Sequence, residues 1–168
     1  KWPDAPGQVI KIALRAFDSN KQFVGMEFFP GYFEIPHEDV NFDTGQWEIR
    51  SDQEAKLEKS RRLIAEKLSI YGKTVKTRLY IIGHTDRVGS TQSNRTLSLN
   101  RARSIATWFR QRGLGISAYY YEGFGEEWLR VGTPDDTPEE RNRRAQYLIA
   151  VDDPTVEGAP FTPKWRKL

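Results

Sequence analysis

The residues Arg78-Leu79-Tyr80-Ile81-Ile82 form a compact apolar run that ends at Gly83 and lies between two segments of helical periodicity. A run of this length, bounded by polar turns, reads as a strand buried on both faces. Before it, Leu57, Ile64 and Leu68 recur at helical spacing with Ala65 beside them, and Tyr71-Gly72 supplies a stop. Ser51-Asp52-Gln53-Glu54 matches a capping box at the start of that helix. After the run, Ser98, Ala102, Ile105 and Phe109 form one stripe of a second helix, from about Asn94 to Arg112. Leu97 and Trp108 sit on its shoulder and Gly113 ends it. A buried strand between two amphipathic helices points to a layered α+β domain.

The remaining strands are read from alternation and turns. Val40 and Phe42 alternate with polar neighbours in Asp39-Val40-Asn41-Phe42, Ala118 to Gly123 is rich in tyrosine, and a last strand spans roughly Arg144 to Val151. Gly125 to Asn142 is a long charged loop. The order β, α, β, α, β, β predicts a mixed sheet with both helices packed on one face, because right-handed crossovers place them there. Upstream, Asp18-Ser19-Asn20 is a turn between Ile10–Leu14 and Phe23–Met26, which predicts a hairpin. Pro30-Gly31 and Ile35-Pro36 then interrupt regular structure. The expected division is a β-rich N-terminal extension (1–37), a main domain (38–152) and an extended tail (153–168), where Phe161 and Trp165 are candidates to dock.

Composition closes several routes. The chain has no cysteine, which excludes disulfides, thiolate zinc sites and cysteine nucleophiles. Its 26 basic residues stand among 23 acidic ones, so the net charge of +3 describes a mixed surface and no nucleic-acid partner is expected. Apolar stretches cover only a handful of residues where a spanning helix needs about 20, so membrane association is expected only through parts of the gene product outside this sequence. Lys1-Trp2-Pro3-Asp4 lacks an initiator Met and an apolar leader, which suggests a mature or trimmed form. His84 and His37 are the only histidines and neither has a cluster, so no metal, cofactor or catalytic residue is expected. In Asn142-Arg143-Arg144 the arginines are expected to neutralise carboxylates such as Asp43 or Glu122.

Gly83-His84-Thr85-Asp86 places Asp86 at the end of the central strand, where such sheets present ligand-binding loops. Arg101 lies one helical turn from both Leu97 and Ile105, at the edge of the buried stripe, and a shielded guanidinium needs an anion. Two readings follow. Asp86 and Arg101 form an internal salt bridge, or both face a ligand.

The blocks Gly83-His84-Thr85-Asp86, Gly89, Asn94, Leu97-Ser98 and Arg101-Ala102 resemble the signature of the OmpA-like C-terminal domain family, which includes peptidoglycan-associated lipoproteins and the wall-binding domains of flagellar motor stators. The resemblance runs from Val40 to Val151 and includes Val40-Asn41-Phe42-Asp43, Gly123-Phe124-Gly125-Glu126 and Asn142-Arg143-Arg144. It implies a βαβαββ domain that binds peptidoglycan without covalent chemistry, gripping the diaminopimelate of the stem peptide. The family's acidic and basic residues fall on Asp86 and Arg101, and Thr85, Asn94, Leu97, Phe42, Asp43 and Arg144 match neighbouring pocket positions. The resemblance also implies a periplasmic, wall-associated or outer-membrane-associated anchor, with residues 1–37 and 153–168 as candidate contacts for other envelope proteins. The competing reading is a protein-interaction module on the same fold that has lost wall binding.

Overall fold

The apolar run becomes the centre of a mixed sheet in the computed structural model, which describes residues 12–28, 31–71 and 75–168. Among the described residues the elements are β1 (Ile12–Phe17), β2 (Phe23–Phe28), β3 (Phe33–Glu34), α1 (Glu54–Tyr71), β4 (Arg78–His84), α2 (Thr91–Gln111), β5 (Ala118–Gly125), β6 (Ala145–Ala150) and β7 (Arg166–Lys167). The five-stranded sheet runs β3-β6-β4-β5-β7, with β4 parallel to β5 and antiparallel to β6. The predicted hairpin is present as β1 and β2, paired antiparallel from Ile12↔Phe28 to Phe17↔Phe23. Its described side chains Leu14, Phe17, Phe23 and Val24 are exposed.

Alternation along β4 sorts its side chains into two layers. Leu79 and Ile81 join Leu57, Ile64 and Leu68 of α1 and Ala102, Ile105 and Phe109 of α2 on one face. Fully burying each leucine, isoleucine or phenylalanine side chain among them contributes about 1.5 to 3 kcal/mol. Tyr80 and Ile82 point to the other face, where Phe124, Leu148 and Val156 meet Trp128, Phe161 and Trp165. The tail is therefore this face's cover. Tyr80 donates to Asp153 Oδ1 (2.8 Å), Lys164 N donates to Glu122 Oε2 (3.1 Å), and Leu168 N donates to Tyr119 O (3.0 Å). Gly83 and Gly123 let α2 lie directly on the sheet, because a Cβ on Gly83 would stand 2.2 Å from Ser98 O and one on Gly123 2.3 Å from Leu99 N.

Three local expectations change. Residues 39–42 do not form a strand; their backbone is held by side chains instead, with Asn41 N donating to Gln53 Oε1 (3.1 Å) and Lys56 Nζ to Asp39 O (2.9 Å). The strand that completes this edge is β3, paired with β6 through Phe33↔Ile149 and Glu34↔Leu148. The capping box is absent: residues 51–53 form a single 3-10 turn that starts after Arg50, without a side-chain cap. Gln53 is drawn to Asn41 and Asp52 to Arg50, which takes the first turn out of capping geometry. Ser90, not Asn94, starts the second helix, accepting from Ser93 N (3.2 Å). The predicted stop at Gly72 and strand residues before Ile12 lie outside the described residues. The edge strands β3 and β7 both come from beyond the expected 38–152 span.

Candidate functional site

The C-terminal end of β4, the first half of α2, the segment 42–46 and the loop that leads into β6 converge on one cleft of 410 Å³. Each wall has a local cause. Thr85 N donates to Gly125 O (2.9 Å), which ties the chain leaving β4 to the end of β5. Gly89, at φ +95°, reverses the chain so that Ser90 can cap α2. The long loop is pinned onto this turn: Asp136 N donates to Arg87 O (2.8 Å), Gly89 N to Asp136 Oδ1 (3.2 Å), and Arg87 pairs with Asp135. Asn142, fully buried, folds the same loop from within by accepting from Arg130 N and Val131 N, both at 2.9 Å.

Asp86 and Arg101 are each only 7% exposed and both line the cleft, yet no ion pair joins them. Asp86 Oδ2 accepts from Arg143 Nη1 (2.7 Å) and from Glu139 N (3.3 Å). Arg101 Nε donates to Gln46 O (3.0 Å) and Nη2 to Asp43 O (3.2 Å), with the guanidinium 4.9 Å from the Phe42 ring centroid. Asp86 Oδ1 and Arg101 Nη1 have no partner among the described residues. Burial pushes the Arg101 pKa down to about 10, with Asp86 opposing the shift and Arg143 adding to it. It stays a cation at neutral pH, held by carbonyl dipoles with no carboxylate in contact.

The other expected residues divide. Phe42, Thr85, Asn94 and Leu97 line the cleft with Asp86 and Arg101. Thr85 Oγ1 is buried without a partner, and Asn94 Nδ2 donates to Asp86 O (3.3 Å) and Glu126 Oε2 (2.5 Å). Asp43 contributes its backbone carbonyl, while its carboxylate pairs with Arg50 at 2.9 Å. Arg144 stands apart, donating to Trp128 O (3.1 Å) and lining a smaller pocket of 180 Å³ that shares Phe42, Arg101 and Arg143 with the cleft. Sequence reasoning missed Arg143. It assigned the two arginines to Asp43 or Glu122, whereas Arg143 neutralises Asp86 and Glu122 is met by Arg95 (3.7 Å). Neighbouring residues entering a strand point to opposite sides, so only one of the pair can reach the cleft.

A model of the OmpA family matches residues 41–145. The chain belongs to the OmpA family. Among curated relatives of this OmpA-family chain, outer membrane protein P5 of Haemophilus influenzae is 30% identical over 122 residues, covering 71% of this chain and 31% of P5. Outer membrane protein A of Buchnera aphidicola is 28% identical over 113 residues, covering 66% of this chain and 27% of that protein. The chain thus spans less than a third of the length of these relatives. The periplasmic domain of Helicobacter pylori MotB superposes with a TM-score of 0.54 at 17% identity, covering 82% of this chain and 88% of that one. A second form, its C-terminal domain, gives a TM-score of 0.54 at 17% identity over 68% and 86%. These likenesses establish the fold. The range matched by the OmpA-family model spans every wall of the cleft, from Phe42 to Arg143.

His84 lies beneath this OmpA-family site, 1% exposed, with Nε2 2.9 Å from Gln146 Oε1 and its ring beside Phe124 and Trp128. Burial, reinforced by Arg144, depresses its pKa to about 3. The neutral ring is therefore the folded form. Above about pH 6.5 both folded and unfolded states are neutral and His84 adds no pH dependence. Below it only the unfolded state takes the proton, so this contribution falls by about 1.4 kcal/mol per pH unit until the folded pKa is reached. Urea unfolding between pH 6.5 and 4 should show His84→Gln losing stability less steeply than the wild type, by about one proton. Equal slopes would remove His84 from the acid response.

Proposed function

We propose that the chain binds peptidoglycan non-covalently through the diaminopimelate residue of the stem peptide and anchors an envelope protein, or the outer membrane, to the wall from the periplasm. One observation carries the reading: a carboxylate oxygen, Asp86 Oδ1, and a guanidinium nitrogen, Arg101 Nη1, have no partner among the described residues and belong to two largely buried side chains of a single cleft. Each side chain is held through its other atoms, Asp86 by Arg143 and Arg101 by two carbonyls, so the two open atoms are hydrogen-bonding capacity of opposite charge that a ligand in this cleft can complete. The distal end of diaminopimelate carries an ammonium and a carboxylate on one carbon, the matching pair.

In this arrangement the ammonium meets Asp86 Oδ1, with the Thr85 hydroxyl as a further acceptor on the same wall. The carboxylate meets Arg101 Nη1. Arg143 acts on both sides, fixing Asp86 by its 2.7 Å bond and bringing a second cation toward the carboxylate. Phe42 and Leu97 flank the aliphatic carbons. Three charge-assisted contacts at about 1.5 to 3 kcal/mol each reach the roughly 8 kcal/mol of micromolar binding. Many copies on one wall then give firm attachment. Membership of the OmpA family supports the reading.

The test compares retention on sacculi built with diaminopimelate and on sacculi with lysine in its place. Lysine keeps the ammonium and lacks the distal carboxylate, so capture should fall about tenfold or more, the cost of one charge-assisted bond. Equal capture by both walls would refute the clamp.

A further inference from the structure

A second groove, of 460 Å³, lies on the outer side of α2. Its floor is a single helical stripe, Asn100, Ser104, Thr107 and Gln111 at spacings of three and four, and its rim is Trp47. Trp47 is 41% exposed, on an irregular segment where nothing in the hydrophobic core requires an indole. Trp108, 6% exposed, also lines the groove, and its Nε1–H is buried with no acceptor among the described residues. Arg103 and Glu48 add one charge of each sign.

We propose that this groove is a saccharide subsite that takes the glycan strand to which the stem peptide is attached; the inference rests on the wall-binding reading above. A pyranose presents an apolar C–H face and a ring of hydroxyl and amide groups. An exposed indole beside a row of side-chain amides and hydroxyls is the complementary surface. Other partners fit less well. A docked amphipathic helix needs a continuous apolar stripe, whereas here the apolar surface is confined to Trp47, Ile49 and Trp108 at the sides of a polar helical floor. A nucleic acid needs excess positive charge, and the groove has none.

Continuity with the cleft supplies the second argument. Gln46 O accepts from Arg101 Nε at 3.0 Å, and Trp47 is the next residue. On α2, Arg101 lines the cleft and its neighbour Asn100 lines the groove. The ridge between the two sites is one peptide unit and one helical residue wide. A ligand whose peptide and sugar parts are covalently joined can occupy both at once, so the second contact is intramolecular and needs no great strength of its own.

Three probes test the idea by calorimetry: a stem peptide ending in diaminopimelate, the same peptide carrying its disaccharide, and peptide-free glycan oligomers. The wild type should bind the disaccharide peptide about 5- to 20-fold more tightly than the bare peptide. Trp47→Ala should bind the bare peptide unchanged and lose that preference, while Trp47→Phe, which keeps an aromatic face, should retain part of it. Trp47 is on the surface, so the variant folds. Equal wild-type affinity for the two peptides, or an unchanged preference in Trp47→Ala, overturns the subsite and leaves the clamp standing. If the wild type binds neither peptide, the clamp fails. Glycan oligomers then decide alone: binding that Trp47→Ala abolishes supports the groove, and no binding overturns it.

Discussion

Arg101→Ala should release the protein from diaminopimelate-type sacculi, with an affinity loss of about 30-fold or more. Truncating one member of a shielded, hydrogen-bonded charge set costs about 2 to 5 kcal/mol, and each 1.4 kcal/mol is tenfold. Arg101 also holds the 43–46 segment through the carbonyls of Asp43 and Gln46, so the alanine variant loosens one wall as well as losing a contact. Two companions separate these effects. Arg101→Lys keeps the charge, but its three N–H groups radiate from one nitrogen and cannot span the positions that Nε, Nη1 and Nη2 of the planar fork reach, so binding should fall with the charge intact. Asp86→Asn keeps the shape and removes the anion facing the ammonium. It also weakens the pair with Arg143, whose side chain is 41% exposed and stays solvated while that of Asp86 is 10% exposed; the amide oxygen still accepts from Arg143 and Glu139 N, which keeps the loss of stability small. Asp86→Asn should therefore melt near the wild type and bind at least tenfold more weakly. Full retention of both Arg101→Ala and Asp86→Asn on sacculi would end the proposal.

The largest stability effect is expected from Gly83→Ala. The added methyl would stand 2.2 Å from Ser98 O and 3.0 Å from Ser98 C, both helix backbone, so no side-chain rotation relieves it. Gly123→Ala would strike the same turn of α2 from the neighbouring strand, 2.3 Å from Leu99 N. The helix must lift off the sheet, at a cost of about 3 kcal/mol or more, at the upper end of overpacking effects. For a domain of this size that lowers Tm by about 6 to 12 °C. Asn94, Leu97 and Arg101 ride on the displaced helix, so wall binding should fall with it. Gly132→Ala, with nothing within 4 Å, is the control and should melt within about 0.5 kcal/mol of the wild type. A Gly83→Ala protein that melts like the wild type would show that α2 does not rest on β4 in this way.

Periodicity made the centre of the molecule legible. Leu79 and Ile81 on one side of β4, and Ser98, Ala102, Ile105 and Phe109 along α2, are buried because a single repeat suffices to mark a face. The edges were not legible. β3 is two residues in a stretch of sequence punctuated by Pro30 and Pro36, and β7 is Arg166-Lys167 in a tail that reads as extended. Neither carries an apolar alternation of its own; each is a strand only because a neighbour offers a ladder. The reverse error occurred at Val40 and Phe42, whose alternation is real but whose neighbours Asp39, Asn41 and Asp43 have their backbone groups met by the side chains of Lys56, Gln53 and Arg101. In the site, residue types and order pointed to Asp86 and Arg101. Their true partners, Arg143 for one and two carbonyls for the other, depend on how a long loop and an irregular segment fold back, which no local pattern encodes.

The two-residue strands have a consequence for self-association. β6 and β5 would otherwise end the sheet with rows of unpaired N–H and C=O groups, the template on which separate chains join edge to edge. β3 caps one row and β7 the other, and each contributes charged residues, Glu34 on one side and Arg166 with Lys167 on the other. A fragment trimmed to 38–152 keeps the whole cleft and discards both caps. It would still carry its binding residues and would aggregate through its bare sheet edges.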